Sequence, residues 1–176
     1  ARDLLLRHGL APSRALGQNF VVDPNTVGRI ARLAGVGPGD HVVEVGAGLG
    51  ALTLALVETG AAVTTIEADQ YLLPALAEVL GDRPVRVIGA DVRTVDWDDV
   101  LAGSDTWALV ANLPYNLATP IVLDVLAEVP RVQRLRVEGE GNGLGRPRLD
   151  VGPAQVVGQR LPAQRLAAAE RLHQRP

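Results

Sequence analysis

Asn112-Leu113-Pro114-Tyr115 is the stretch of this chain best suited to chemistry. An exocyclic amine on a nucleobase is a poor nucleophile, because its lone pair is delocalised into the ring. A side-chain amide oxygen and a backbone carbonyl that both accept from such an amine hold the lone pair toward an electrophilic methyl group. Proline fixes the turn so that the neighbouring carbonyl points inward. The face of Tyr115 can stack on a base taken out of its helix. Alone, the tetrapeptide reads better as an ordinary strand-to-turn junction with a part-buried tyrosine.

A second group of residues removes that ambiguity. Val42-Val43-Glu44-Val45 is β-type sequence that runs into Gly46, Gly48 and Gly50, and a helix-like segment, 51–58, follows directly. A sharp strand-to-helix turn needs glycine where φ is positive or where the backbone lies against a ligand. It leaves free N–H groups of a helix N-terminus facing the strand end, a place for a polar cofactor. About twenty residues on, Ala62-Val63-Thr64-Thr65-Ile66 ends in Glu67, whose carboxylate can accept both hydroxyls of a ribose. The spacing Gly-x-Gly-x-Gly is one residue short of the dinucleotide fingerprint, and Glu44 stands two before the first glycine. Both departures favour a nucleoside cofactor without a pyrophosphate, S-adenosylmethionine ahead of NAD. Such a sulfonium carries its own leaving group, so alignment and electrostatics suffice without a strong general base.

The elements that must position these residues follow from the pattern along the chain. Asp23-Pro24 opens a helix that Val27, Ile30, Ala31 and Ala34 continue and Gly35 ends. Strands are expected at 41–45, 62–67, 85–88, 107–111 and 132–137. Helices are expected at 51–58, about 70–80 with Pro74 in the first turn, a short acidic-capped piece at 96–101, and 119–129 opened by Thr119-Pro120. Short apolar strands alternating with helices predict a doubly wound, mainly parallel α/β sheet. In that architecture ligands bind beyond the carboxyl ends of the strands. The first four of those ends carry Gly46, Glu67, Asp91 and Asn112, a concordance more specific than any single motif.

Composition narrows the alternatives. The chain has 176 residues, no cysteine, and three widely separated histidines, His8, His41 and His173. Disulfides and thiolate chemistry are excluded, and a resident metal is not expected. No apolar run is long enough for a membrane span, and no leader pattern opens the sequence; the expected setting is the cytoplasm and the expected state a monomer. Charge is uneven: residues 1–130 hold eight arginines against sixteen acids, and residues 131–176 hold nine against four. All five aromatics lie in the first part. Three regions are therefore expected: an N-terminal arm at 1–22, either touching phosphate or frayed; an α/β domain at 23–137; and a basic, disordered tail at 138–176.

Leu16-Gly17-Gln18-Asn19-Phe20, Glu44-x-Gly46-x-Gly48-x-Gly50, Glu67, Asp91 and Asn112-Leu113-Pro114-Tyr115-Asn116 together resemble the KsgA-type ribosomal RNA adenine dimethylases across residues 4 to 135. The resemblance implies a Rossmann-like, S-adenosylmethionine-dependent methyltransferase. It implies two methyl transfers to N6 of each of two neighbouring adenines in small-subunit ribosomal RNA. It also implies that Gln18, Asn19 and Val21 edge the cofactor pocket, with Glu44 and Gly48 in the same binding motif. On the same ground Gly46 approaches the methionine part, Glu67 the ribose and Asp91 the adenine amine, while Asn112 meets both cofactor and target. The family's further strand–helix pair, its aromatic-and-proline motif and its small helical RNA-binding domain are not found in this sequence, where 138–148 reads Glu-Gly-Glu-Gly-Asn-Gly-Leu-Gly-Arg-Pro-Arg and only Pro162–His173 has helical character. The alternatives are a large-subunit dimethylase of the antibiotic-resistance type, a catalytically silent RNA- or ribosome-binding relative and, last, an α/β oxidoreductase.

Overall fold

A computed structural model describes residues 2–10, 24–140 and 149–151. The chain opens with helix α1 (Arg2–Arg7), followed by α2 (Pro24–Ala34), β1 (His41–Val45), α3 (Ala51–Val57), β2 (Ala62–Glu67) and α4 (Leu73–Leu80). Next come β3 (Val85–Gly89), α5 (Trp97–Val100), β4 (Trp107–Pro114), α6 (Tyr115–Glu128), β5 (Val132–Glu140) and β6 (Leu149–Val151). The strands form one sheet in the order β3-β2-β1-β4-β5-β6. Pairings from β3 to β5 are parallel, and β6 pairs antiparallel with β5. Strand order reverses direction between β1 and β4, the switch point where an α/β sheet opens a crevice.

Each face of the sheet is closed by its own helices, which is why the inner strands are apolar on both sides. Val42, Val63, Ala108 and Val110 pack beneath α2 and α3 through Val27, Ile30, Ala31, Leu52 and Leu56. Leu73, Leu76 and Leu80 of α4 join the same side near Val85. Val43, Val45, Leu109, Ala111, Leu135 and Val137 pack on the other face against Val100 of α5 and Ala118, Val122 and Val125 of α6. At the amino end of the sheet, the buried Trp107 donates from Nε1 to the carbonyls of Leu101 and Ser104, both at 3.1 Å, and its ring tilts against His41.

Several elements differ from the sequence expectation. β4 does not stop at Ala111: it stays paired with β5 through Asn112, Leu113 and Pro114, and α6 begins at once with Tyr115. The Asn-Leu-Pro-Tyr box is therefore a strand end running straight into a helix. Pro120 does not open α6 but lies inside it, where it removes one helical N–H donor. α4 begins at Leu73 rather than Gln70, with Pro74 in its first turn as proline requires. Residues 2–10 are not frayed: Arg7 and His8 both pair with Glu78 on α4.

The sheet also continues beyond residue 137. β5 runs to Glu140, and Leu149, Asp150 and Val151 return opposite Val137, Arg136 and Leu135. Part of the region expected to be a disordered tail thus belongs to the sheet. The remainder of that tail, including 162–173, lies outside the described residues, as do the Asp23 cap and the Gly-Gln-Asn-Phe box.

Candidate active site at the carboxyl ends of the strands

The rim is built one row at a time. Val45 pairs with Ile66 on one side and with Ala111 on the other, so the next row outward holds Glu67, Gly46 and Asn112. Glu67 in turn lies opposite Gly89, two residues before Asp91. With neighbouring strands about 4.8 Å apart, Glu67 and Asn112 stand roughly 10 Å apart across Gly46. Nucleoside-sized matter spans such a gap.

Gly46 has φ +81° and donates from its amide to Ile66 O at 2.8 Å. A Cβ there would sit 2.6 Å from Cδ2 of Leu113. The absence of a side chain thus lets Leu113 close over the turn, and joins the glycine turn to the Asn-Leu-Pro-Tyr box. Gly48 and Gly50 are also at positive φ, and the turn hands the chain to α3 without a side-chain cap.

Glu67 is almost buried, at 7 % exposure. Its Oε2 accepts from the Gly48 amide at 2.7 Å and its Oε1 from the Asp69 amide at 2.8 Å. A carboxylate has about four acceptor positions, so each oxygen retains one for a hydroxyl. These two bonds also fix the glycine turn against the end of β2.

Asp91 stands in the turn after β3, and Arg93 grips it. Oδ1 accepts from the Arg93 amide at 3.0 Å and from Nε at 3.0 Å, while Oδ2 accepts from Nη2. The Arg93 side chain, then its amide, hold the Asp91 carboxyl below the usual carboxylate range. It remains an acceptor for an amine. On the same rim, Gln70 donates to the Gly89 carbonyl at 2.9 Å and ties the loop after β2 to the end of β3.

Asn112 is half-buried at the end of β4, opposite Glu138 of β5. Leu113 is half-buried and packs on the core beneath α6. Pro114 closes the strand and Tyr115 opens the helix. Gln18, Asn19 and Val21 lie outside the described residues. Among the described rim positions, the fold brings together Gly46, Gly48, Glu67 and Asn112 in adjacent rows, with Asp91 beyond Gly89.

Glu44 is placed elsewhere. It is fully buried on the α3 side of the sheet, where its Oε2 accepts from the Thr53 hydroxyl at 2.5 Å. Burial is the main reason its carboxyl is pushed up to about 7. Thr53, Thr65, Gln70 and Arg93 are the site's supports that sequence reasoning missed. Only the i, i+2 spacing of Asp91 and Arg93, with Arg93 in the same turn, offered a signal.

Comparison with known proteins agrees with this fold. The family model described as ribosomal RNA adenine dimethylase matches residues 11–173, including most of the stretch after 135. The ribosomal RNA small subunit methyltransferase A of Bifidobacterium adolescentis is 48% identical over 126 residues, covering 67% of this chain and 42% of the relative. That of Moorella thermoacetica is 45% identical over 141 residues, covering 75% and 49%. Among solved structures, the 23S rRNA methyltransferase ErmE superposes with a TM-score of 0.59 at 31% identity, covering 69% of this chain and 48% of ErmE. The chain spans less than half the length of these curated relatives. With a Rossmann-like sheet whose rim carries the glycine turn, Glu67, Asp91 and Asn112, and a family model matched over most of its length, the chain belongs to the ribosomal RNA adenine dimethylase family.

Proposed function

We propose that this chain is the catalytic part of an S-adenosylmethionine-dependent dimethylase acting on adenine N6 in small-subunit ribosomal RNA. The observation that carries the reading is the shared rim: Glu67, Asp91 and Asn112 stand at or just past the ends of β2, β3 and β4 around one glycine turn, and on this reading they accept from a ribose, a base amine and a target amine. Gly46 leaves room for the backbone to approach the methionine part, and Glu67 takes the ribose hydroxyls. Asp91 accepts from the adenine amino group. A small-subunit target also agrees with the higher identity to small-subunit relatives than to ErmE.

Catalysis on this reading is alignment. When bound, S-adenosylmethionine would supply an activated methyl group whose leaving group is a neutral thioether. The Asn112 side-chain oxygen and the carbonyl of the following residue accept from the target amine and point its lone pair across the rim. These acceptors also stabilise the charge that grows on N6 as the new N–C bond forms. The N6 proton then leaves to solvent, and the singly methylated amine, with one N–H left for one of the two acceptors, takes the second methyl from a fresh cofactor. Tyr115, at the head of α6, stacks on the extruded base. Gln18, Asn19 and Val21 edge the cofactor pocket. Such a substrate goes with a monomer working in the cytoplasm; among the described residues no helix is long and apolar enough to cross a membrane.

Transfer of labelled methyl groups to small-subunit particles lacking the two modified adenines tests the proposal. Incorporation approaching four methyls per particle, lost in Asn112→Ala, is expected. Labelling of large-subunit RNA instead would assign the chain to the ErmE-like activity. Particle binding without incorporation would make it a silent relative.

A further inference from the structure

Glu44 spans the glycine turn from beneath. It lies at the end of β1, two residues before Gly46, and its hydroxyl partner Thr53 lies in the first turn of α3, three residues after Gly50. The bond between them therefore closes a loop around the whole turn. On the other side, Glu44 is the direct cross-strand neighbour of Thr65 in β2. The Thr65 hydroxyl is close enough to act on the carboxyl, yet Oε1 of Glu44 and Oγ1 of Thr65 are both buried without a hydrogen-bond partner. These two buried oxygens are cross-strand neighbours: a proton on Oε1 makes Glu44 a donor to Thr65 while Oε2 still accepts from Thr53, whereas an ionised Glu44 can only accept, and then from the Thr65 hydroxyl.

We propose that Glu44 is a positioning residue: as a neutral carboxylic acid it bridges Thr53 of α3 to Thr65 of β2 and so holds the glycine turn in the shape the cofactor needs. This rests on the cofactor reading above for its functional consequence, but not for the bridge itself. Ionisation takes the Glu44 proton out of the bridge, so that Thr65 must turn its own hydroxyl to donate, and leaves a negative charge in the core beneath the turn. Burial, the largest effect, favours the neutral form and the charge of Glu67 adds to it, while donation from the Thr53 and Thr65 hydroxyls acts the other way without outweighing burial. Among the described residues, α3 has no titratable side chain, α2 contributes Arg29 and Arg32, and β5 contributes Arg134 and Arg136, two strands away. None of these arginines figures among the causes of the Glu44 shift.

The sign follows from proton counting. The folded chain holds a proton on Glu44 up to about pH 7, whereas the unfolded chain releases it near 4.5. Folding is therefore most favourable below the ordinary value and weakens as pH rises toward 7. The full change is on the order of 300-fold in the folding constant.

The test compares wild type, Glu44→Gln, Glu44→Leu and Thr65→Val between pH 5 and 8.5, by urea unfolding and by calorimetric titration with S-adenosylhomocysteine. Gln keeps both roles, accepting from Thr53 and donating to Thr65. Its unfolding profile is expected to lack the wild-type fall above pH 5. Its affinity should stay within about threefold of wild type at pH 6 and exceed it at pH 8. Leu should weaken the ligand by tenfold or more at every pH while remaining folded. Thr65→Val removes the acceptor of the Glu44 proton and should make the loss with pH shallower than in wild type; a steeper loss would mean that Thr65 donates to an ionised Glu44 and would overturn the neutral bridge. Parallel unfolding profiles for wild type and Gln would overturn the bridge. A wild type that shows the pH-dependent stability but binds no ligand at any pH would leave the bridge standing and remove the cofactor reading instead.

Discussion

Gly46→Ala tests whether the glycine turn and the Asn-Leu-Pro-Tyr box form one unit. Two costs are expected. Gly46 has φ +81°, and an L-residue in that region costs about 1–2 kcal/mol. The new Cβ would also lie 2.6 Å from Cδ2 of Leu113. That methyl is the far end of a flexible side chain, so Leu113 can turn away at about 0.5–1.5 kcal/mol of rotamer strain and lost packing. The sum is roughly 1.5–3.5 kcal/mol, enough at ordinary urea dependence to move the unfolding midpoint by about 1–2 M. Leu113→Ala separates the two costs. Alone it loses about 2 kcal/mol, at the low end for leucine because the residue is only half-buried. Combined with Gly46→Ala it removes the clash but not the φ penalty. The double variant should therefore be more stable than the sum of the singles predicts, by about 0.5–1.5 kcal/mol. Four urea curves with equal slopes measure this coupling. Additivity within about 0.3 kcal/mol would mean that Leu113 does not press on the turn, and would refute the linkage. The same displacement shifts the neighbouring Asn112, so Gly46→Ala should lower methyl transfer more than the stability loss explains.

Four further outcomes are expected. Glu67→Ala should weaken cofactor binding by about 1–3 kcal/mol in calorimetry, since it releases the Gly48 amide and, on the proposed reading, removes the ribose acceptors. Asn112→Ala should reduce turnover more than cofactor affinity, because its interaction matters most in the transition state; equal losses in both would argue against the assigned role. Trp107→Phe should lower stability by about 1–2 kcal/mol through loss of the bonds to Leu101 and Ser104, with cofactor affinity unchanged. Asp40 is held below its ordinary value chiefly by the Gly37 amide, with Arg134 adding. Its stabilising contribution is full above the usual carboxylate range and is lost on acidification, so the stability gap between wild type and Asp40→Asn should shrink from pH 6 to pH 3.

The glycine turn was legible in the sequence because its requirement is local. Positive φ at Gly46, Gly48 and Gly50 is a property of the backbone there, and only glycine meets it without strain. The parallel sheet was legible for the same kind of reason, since strand and helix periods alternate along the chain and each switch is marked by glycine, proline or a capping acid. The rim of Glu67, Asp91 and Asn112 followed from that alternation, because each stands at or just past the end of an apolar strand.

What tertiary structure decided was pairing and side. β4 continues through Asn112, Leu113 and Pro114 because β5 is there to bond with it, a partner about 25 residues away that local propensity does not register. Residues 149–151 form a strand for the same reason, in a stretch whose glycines and arginines read as disorder. Glu44 is the sharpest case. Its place beside the glycines suggested a cofactor contact, yet both faces of a central parallel strand are covered, so alternation does not say where a side chain ends. The helix lying over that face decided it, by burying the carboxyl against Thr53. Local backbone demands are written residue by residue, whereas the partner across the sheet and the helix above it exist only once the chain has folded.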